Sequence, residues 1–278
     1  MTMNHLTLND GRSIPQLGFG TWKITDEDSA PLVKKAIETG YRHIDTAAIY
    51  GNEAGVGLGL RQSGVDREEL FVTTKLWNDD HGDPAAALRT SLDKLGLEYV
   101  DLYLIHWPVP EQNLYASAWK TLVTLREQGL AKSIGVSNFY AETLDDLQDS
   151  GVVPAVNQVE IHPTFANRAT IEANTARGIV TESWSPLGRA VDLDIPILEL
   201  IAARVGASVA QVILAWHLAK NFVVIPKTVS PARMRENLET LDLVLTDSDL
   251  AAIDALDRGN RTGSDPRGTV PRPTPSSA

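Results

Sequence analysis

Eight short apolar runs, each followed by a longer stretch patterned like a helix, constrain this 278-residue chain more than any other feature. The runs are LGFGTW (17–22), YRHID (41–45), LFVTTK (70–75), VDLYLIH (100–106), KSIGVS (132–137), AVNQVEI (155–161), IVTESW (179–184) and FVVIP (222–226). Between them lie amphipathic stretches such as DSAPLVKKAIETG, DPAAALRTSLDKLG, ASAWKTLVTLREQG, AETLDDLQDSG and SVAQVILAWHLAKN. Several open on Asp or Ser and close on Gly or Asn, which satisfy orphan amides and accept left-handed geometry at helix ends. Strand then helix, repeated eight times, predicts a parallel (β/α)8 TIM barrel, with a doubly wound open sheet as the competing layout.

LTLNDGRSI alternates around Asn9-Asp10-Gly11 and predicts an N-terminal β-hairpin. No Pro/Gly/Ser linker interrupts the pattern, so residues 1–278 are expected to form a single domain. From residue 257 the chain lacks periodicity and is rich in Gly, Pro, Ser and Arg, which predicts an irregular, loose C-terminal tail. The net charge of −11 and pI near 5.0 disfavour nucleic acid and anionic membrane as partners. The opening MTMNHLTLND has no basic region leading into an apolar run, so a cytoplasmic protein is expected, and a monomer. The absence of cysteine excludes disulfides, a thiol nucleophile and cysteine-bound metal.

If the runs are barrel strands, their C-terminal ends share one rim. Asp45, Lys75, His106, Ser137, Glu160, Trp184 and Lys227 fall at or just past the ends of runs two to eight. A charge following an apolar strand is partly buried and needs a partner, and Asp45 and Lys75 on adjacent strands can serve each other. Such a pair could merely close the barrel top. Tyr50, five residues after Asp45, suggests more. A phenol has a pKa near ~10, and a nearby ammonium is expected to lower it, so that an Asp-Lys-Tyr chain presents a proton to a developing alkoxide. His106 could donate to the same oxygen.

HIDTAAIYGNE, FVTTKLWN, LYLIHWP, SIGVSNF, NQVEIHP, SWSPLG and IPKTVSPARMRENL resemble the signature segments of the aldo-keto reductases, in order, over roughly residues 5 to 256. The bacterial 2,5-diketogluconate-reductase-like branch is the most similar. The resemblance implies an NADPH-dependent oxidoreductase reducing aldehydes and ketones, such as dicarbonyls or keto-sugars, with Asp45, Tyr50, Lys75 and His106 as its catalytic tetrad and Tyr50 as proton donor. It also implies that Ser137, Asn138 and Gln158 bond the nicotinamide carboxamide and that Trp184, where many members carry tyrosine, stacks on the ring. Ser185 and Leu187 would approach the pyrophosphate, with Ile225 and Val229 beside the cofactor and Glu236 and Asn237 near the adenine.

Ser230-Pro231 reads as an N-cap and first-turn pair opening a helix, and helix N-termini bind phosphate. Lys227, Thr228 and Arg233 surround that point, and the resemblance makes the phosphate the 2′-phosphate of NADPH. Trp22, Trp77 and Trp107 would wall the carbonyl pocket with His106. About ten residues separate Trp184 from the next apolar segment, too few for the long cofactor-clamping loop of some relatives.

GVGLGL (55–60) does not fit G-x-G-x-x-G and lies in a helical stretch, so it is no dinucleotide fingerprint. His43, His106 and His162 form no H-x-H pair, so no metal is expected. Two rival readings survive at this level. One is a lysine Schiff-base aldolase using Lys75 or Lys227; the other is a non-catalytic NADPH-binding sensor.

Overall fold

The computed structural model describes residues 3–268. Strands β1 (His5–Thr7) and β2 (Ser13–Pro15) form the antiparallel hairpin, with Leu6 opposite Ile14. Eight further strands then pair in parallel, each with the next in sequence: β3 (Phe19–Gly20), β4 (His43–Asp45), β5 (Phe71–Leu76), β6 (Val100–Ile105), β7 (Ala131–Ser137), β8 (Val156–Glu160), β9 (Val180–Trp184) and β10 (Val223–Val224). The first and last close the circle, because Gly18 N–H donates to Val224 O at 2.8 Å and Val224 N–H to Gln16 O at 2.9 Å. This is the predicted TIM barrel, and each of the eight apolar runs supplies one strand.

Helices return the chain between strands: α1 (Asp26–Thr39), α2 (Glu53–Gln62), α3 (Pro84–Leu95), α4 (Tyr115–Glu127), α5 (Ala141–Asp145) and α6 (Arg168–Ala176). Two helices, α7 (Pro196–Val205) and α8 (Val209–Ala219), separate β9 from β10, and α9 (Pro231–Glu239) and α10 (Asp247–Asp254) follow β10. Their starts obey the capping chemistry. Thr25, Asp83, Ser208, Ser230 and Thr246 each accept a backbone N–H from the first turn. No single helix among the described residues is long and apolar enough to cross a membrane.

GVGLGL belongs to α2 and serves packing. A Cβ at Gly55 would stand 2.0 Å from Asp26 O, and one at Gly57 2.0 Å from Leu95 O, so only glycine lets α2 lie against α1 and the end of α3.

Alternation along each strand sends every second side chain into the barrel. At the foot these are apolar, and Phe71, Leu102, Leu104, Val156 and Val223 cluster with Leu8 and Ile14 of the hairpin, which plugs that end. Outward residues pack under the helices around the fully buried Trp119 and Tyr41. Truncating Trp119 to Ala would cost about 3–5 kcal/mol. Higher in the barrel the inward positions become polar: His43, Thr73 and Glu182, then Asp45, Lys75, Ser137 and Gln158, all buried.

The expected loose tail is corrected in part. Residues 257–263 are held against the barrel: Arg258 and Asn260 N–H groups donate to Thr164 O at 3.2 and 3.0 Å, and Thr262 N–H donates to Glu160 Oε1 at 2.7 Å. The physical reason is that the buried Glu160 carboxylate needs donors and this segment supplies them. Residues 269–278 of the expected tail lie outside the described residues.

Candidate active site

Strand register brings the rim residues together. Asp45 ends β4, Lys75 lies near the end of β5, and His106 directly follows β6. Tyr50 reaches them from a single 3-10 turn, Ala48–Tyr50, and Asn52 holds that turn in place. The buried Asn52 accepts from Thr46 Oγ1 at 2.8 Å and donates to the carbonyls of Thr21 and Ile24, both at 3.0 Å, stitching the β3 and β4 loops together. The loop residues of HIDTAAIYGNE are thus organised to aim one phenol.

Lys75 is fully buried, and its ammonium donates to Asp45 Oδ1 at 2.6 Å, to Thr46 O at 2.8 Å and to the Tyr50 hydroxyl at 3.4 Å. Gln158 Nε2 donates to Asp45 Oδ2 at 2.8 Å. Burial raises Asp45 toward its neutral form. Both of its oxygens nevertheless accept hydrogen bonds, one from a cation, so we read the pair as charged. Burial also works against the Lys75 charge, but Asp45 and Tyr50 more than compensate and hold it above its ordinary value.

The expectation that Lys75 leaves Tyr50 with a lowered pKa is corrected. Burial pushes the phenol up to about 12, and the opposing pull of Lys75 is itself countered by Asp45 and Glu182. Tyr50 therefore holds its proton firmly and gives it only to a much stronger base, such as an alkoxide. Burial, then Lys75 and His81, keep His106 well below the ordinary imidazole range, so it is a neutral ring.

Above these groups opens a cavity of about 490 Å³. Trp22, Trp77, Trp107, Tyr50 and His106 line it together, with the Trp22 and Tyr50 rings 4.8 Å apart and the Trp77 and His106 rings 5.3 Å apart. Ser137, Asn138, Gln158, Trp184, Ser185, Ile225 and Lys227 line it as well. Asn138 adopts φ 64° and is fully engaged: it donates to His106 O at 3.0 Å and Ser137 Oγ at 3.1 Å, and accepts from Trp184 Nε1 at 2.9 Å.

Other residues expected at the cofactor lie apart from this cavity. Leu187 is half-buried and packs beneath the turn after β9. Thr228 is buried and accepts from Ser230 N–H at 3.1 Å, whereas Val229 is exposed. Arg233 is exposed beside the start of α9, as is Lys227, which does line the cavity, and neither has a carboxylate within 4.0 Å among the described residues. Glu236 accepts from the Ser208 hydroxyl, which ties it to α8. Asn237 turns inward against the Tyr41 phenol.

Gly20, Ile49, Pro186, Arg189 and Ser264 also line the cavity without having been marked in the sequence, and the two polar side chains among them are Arg189 and Ser264. Arg189 takes φ 53° in a turn that no glycine marks at that position, and Ser264 comes from the aperiodic C-terminal segment. Neither gives a periodic signal.

The donor set can be tested against a reduced dinucleotide. An indole plane, amides at the ends of β7 and β8 and the cations Arg189 and Lys227 line the cavity, and a serine-capped helix opens three residues after Lys227; these suit a flat amide-bearing ring joined to phosphates.

A parallel barrel with a buried ion pair beneath a phenol, open at the strand C-termini, has the layout of a barrel enzyme. The model described as the Aldo/keto reductase family matches residues 16–258, and the chain belongs to that family. Methylglyoxal reductase DkgA of Yersinia pestis is 52% identical over 271 residues, 96% of this chain and 98% of its own length. An aldo/keto reductase from Brucella melitensis superposes with a TM-score of 0.90 at 47% identity, covering 92% of this chain and 99% of that one. A variant of Gox0644 solved with NADPH gives a TM-score of 0.93 at 43% identity, covering 97% of this chain and 99% of that one.

Proposed function

We propose that this protein reduces aldehydes and ketones to alcohols with NADPH, small dicarbonyls among them, with Asp45, Tyr50, Lys75 and His106 as the catalytic tetrad. The observation that carries the reading is the Lys75 ammonium, which bonds Asp45 at 2.6 Å and faces the Tyr50 hydroxyl at 3.4 Å under an aromatic cavity. A bound nicotinamide supplies the hydride. Tyr50 then gives its proton to the carbonyl oxygen as negative charge develops there, and Lys75 stabilises the phenolate left behind. Neutral His106 offers one N–H to orient the same oxygen. The three tryptophans favour selection by shape.

Trp184, Asn138, Ser137, Gln158 and Ser185 would hold the nicotinamide half of the cofactor, and Arg189, Lys227, Thr228 and Arg233 its phosphates. Names of relatives agree with this: one is called a methylglyoxal reductase, and another was solved with NADPH.

The Schiff-base reading loses ground at Lys75, a buried ammonium committed to Asp45 and Thr46, whereas a lysine nucleophile must be neutral. The same proposal takes residues 1–278 as one domain acting as a cytoplasmic monomer, which size-exclusion chromatography with light scattering would check for mass.

Loss of NADPH absorbance across a panel of aldehydes, ketones and dicarbonyls, methylglyoxal included, tests the function. Turnover that disappears in Tyr50→Phe supports it. NADPH binding without oxidation of any panel member would leave the sensor reading in its place.

A further inference from the structure

Glu160, the last residue of β8, is a rim residue singled out in the sequence that the reduction chemistry leaves without a role. It is 1% exposed, and its carboxylate faces the C-terminal segment. Oε1 accepts from Thr262 N–H at 2.7 Å, Thr262 Oγ1 at 2.6 Å and Gly263 N–H at 3.1 Å, while Oε2 accepts from Gly263 N–H at 3.0 Å. The fit is close, since a Cβ at Gly263 would lie 2.3 Å from the Trp184 ring and 2.9 Å from Glu160 Oε2. The next residue, Ser264, lines the cavity.

Behind Glu160 stands His162, fully buried. Its Nε2 is 3.3 Å from Glu160 Oε1 and its Nδ1 is 2.6 Å from Asp192 Oδ2. An imidazole with a carboxylate oxygen at each nitrogen donates to both only as the imidazolium. Burial opposes that charge, but the bonds to Asp192 and Glu160 outweigh it and hold His162 above its ordinary value. Asp192 belongs to the turn after β9, whose Ser185, Pro186 and Arg189 line the cavity from the side proposed for the cofactor. Thr164 braces the same carboxylate, its hydroxyl donating to Asp192 Oδ1 at 2.7 Å.

One buried carboxylate–imidazolium–carboxylate chain therefore links the turn after β9 to the Thr262–Ser264 segment, each of which contributes to the cavity lining. We infer that Glu160, His162 and Asp192 are positioning residues that couple these two segments, so that a dinucleotide seated against the turn 185–192 tightens the Thr262–Ser264 segment over the substrate end. This rests on the reading that the cavity takes NADPH. Fixing Asp192 fixes the orientation of His162, and through it Glu160. By reciprocity, a tightened segment strengthens cofactor binding by the same factor.

Amide hydrogen exchange of the full chain, with and without NADPH, tests the coupling. In the wild type, NADPH should slow exchange across 185–192 and also at Thr262 and Gly263, the latter by about fivefold or more. Asp192→Asn leaves every contact of Glu160 with the C-terminal segment in place, yet it should abolish the NADPH effect at Thr262 and Gly263. It should also raise KM for the carbonyl by about fivefold with a much smaller change in kcat. Glu160→Gln should speed exchange at those two amides by roughly tenfold even without NADPH.

Protection of 185–192 in the wild type with unchanged exchange at Thr262 and Gly263 would overturn the coupling and leave the cofactor reading intact. Survival of the effect in Asp192→Asn would reduce the chain to a simple anchor. Absence of protection in both regions would sink the cofactor reading, and the coupling with it.

Discussion

Gln158 and Lys75 grip opposite oxygens of one carboxylate: Nε2 of the former is 2.8 Å from Asp45 Oδ2, and Nζ of the latter 2.6 Å from Asp45 Oδ1. The two come from different parts of the barrel, β8 and β5. Asp45 is thus oriented twice over, and its charge is stabilised in a buried position that would otherwise protonate it.

Gln158→Ala should therefore weaken the acid side of the reaction. Without the amide, Asp45 keeps one donor and its pKa rises further, so the acid limb of the kcat/KM profile should move to higher pH. Loss of a bond to a buried charged group costs about 1.5–3 kcal/mol, which is one to two units of that limb. An unmoved limb would show that Gln158 contributes only to cofactor contact.

Tyr50→Phe should lower kcat by about 10²- to 10⁴-fold, the usual worth of a positioned proton donor. The NADPH dissociation constant, read by fluorescence titration, should change little because the lost hydroxyl faces Lys75 and the substrate end. A variant that keeps wild-type turnover would remove Tyr50 from its assigned role.

Glu182 gives a prediction about stability. Its carboxyl oxygens have no hydrogen-bond partner among the described residues, and burial, then Asp45, push it up to about 8. Unfolded, it releases its proton near 4.5; folded, it keeps the proton up to about 8. Over that window the native state binds the extra proton, so the contribution of this group falls as pH rises, by up to about 1.4 kcal/mol per unit. Glu182→Gln removes the slope. In urea denaturation its advantage over wild type should be larger at pH 8 than at pH 5, and an equal difference at both would refute the assignment.

Lys227→Ala combined with Arg233→Ala should raise the NADPH dissociation constant about tenfold or more, while NADH binding changes far less. Both cations are solvent-exposed, so the NADPH effect should shrink as salt is added. Equal losses for the two cofactors would place the 2′-phosphate elsewhere.

Trp184→Phe keeps a flat ring but deletes the N–H that donates to Asn138 Oδ1 at 2.9 Å. A nicotinamide amide would then meet a free acceptor, and NADPH affinity should rise several-fold, up to about tenfold. Weaker binding in this variant would mean that the indole matters through its area.

The barrel and the Asp45–Lys75 pair were legible because the same strand period governs both. Alternation along β4 and β5 turns Asp45 and Lys75 inward on adjacent strands, with Asp45 opposite Thr73 and Lys75 one inward position beyond it. The sign of the Tyr50 shift was not legible, since it depends on how much water burial removes, and no residue spacing reports that. Nor was the contact from Glu160 to Thr262, which links an ordered strand to a segment without pattern 102 positions away. Polar contacts of that kind follow from shape and leave no periodic trace.

The hairpin at the foot of the barrel also decides how the molecule can be handled. Because Leu8 and Ile14 pack against the inward residues at the end opposite the mouth, anything joined ahead of His5 departs from the far pole. A solubility partner or a surface tether attached there would leave the catalytic opening facing free solution, whereas the same attachment at Gly268 would begin four residues after Ser264, which lines that opening.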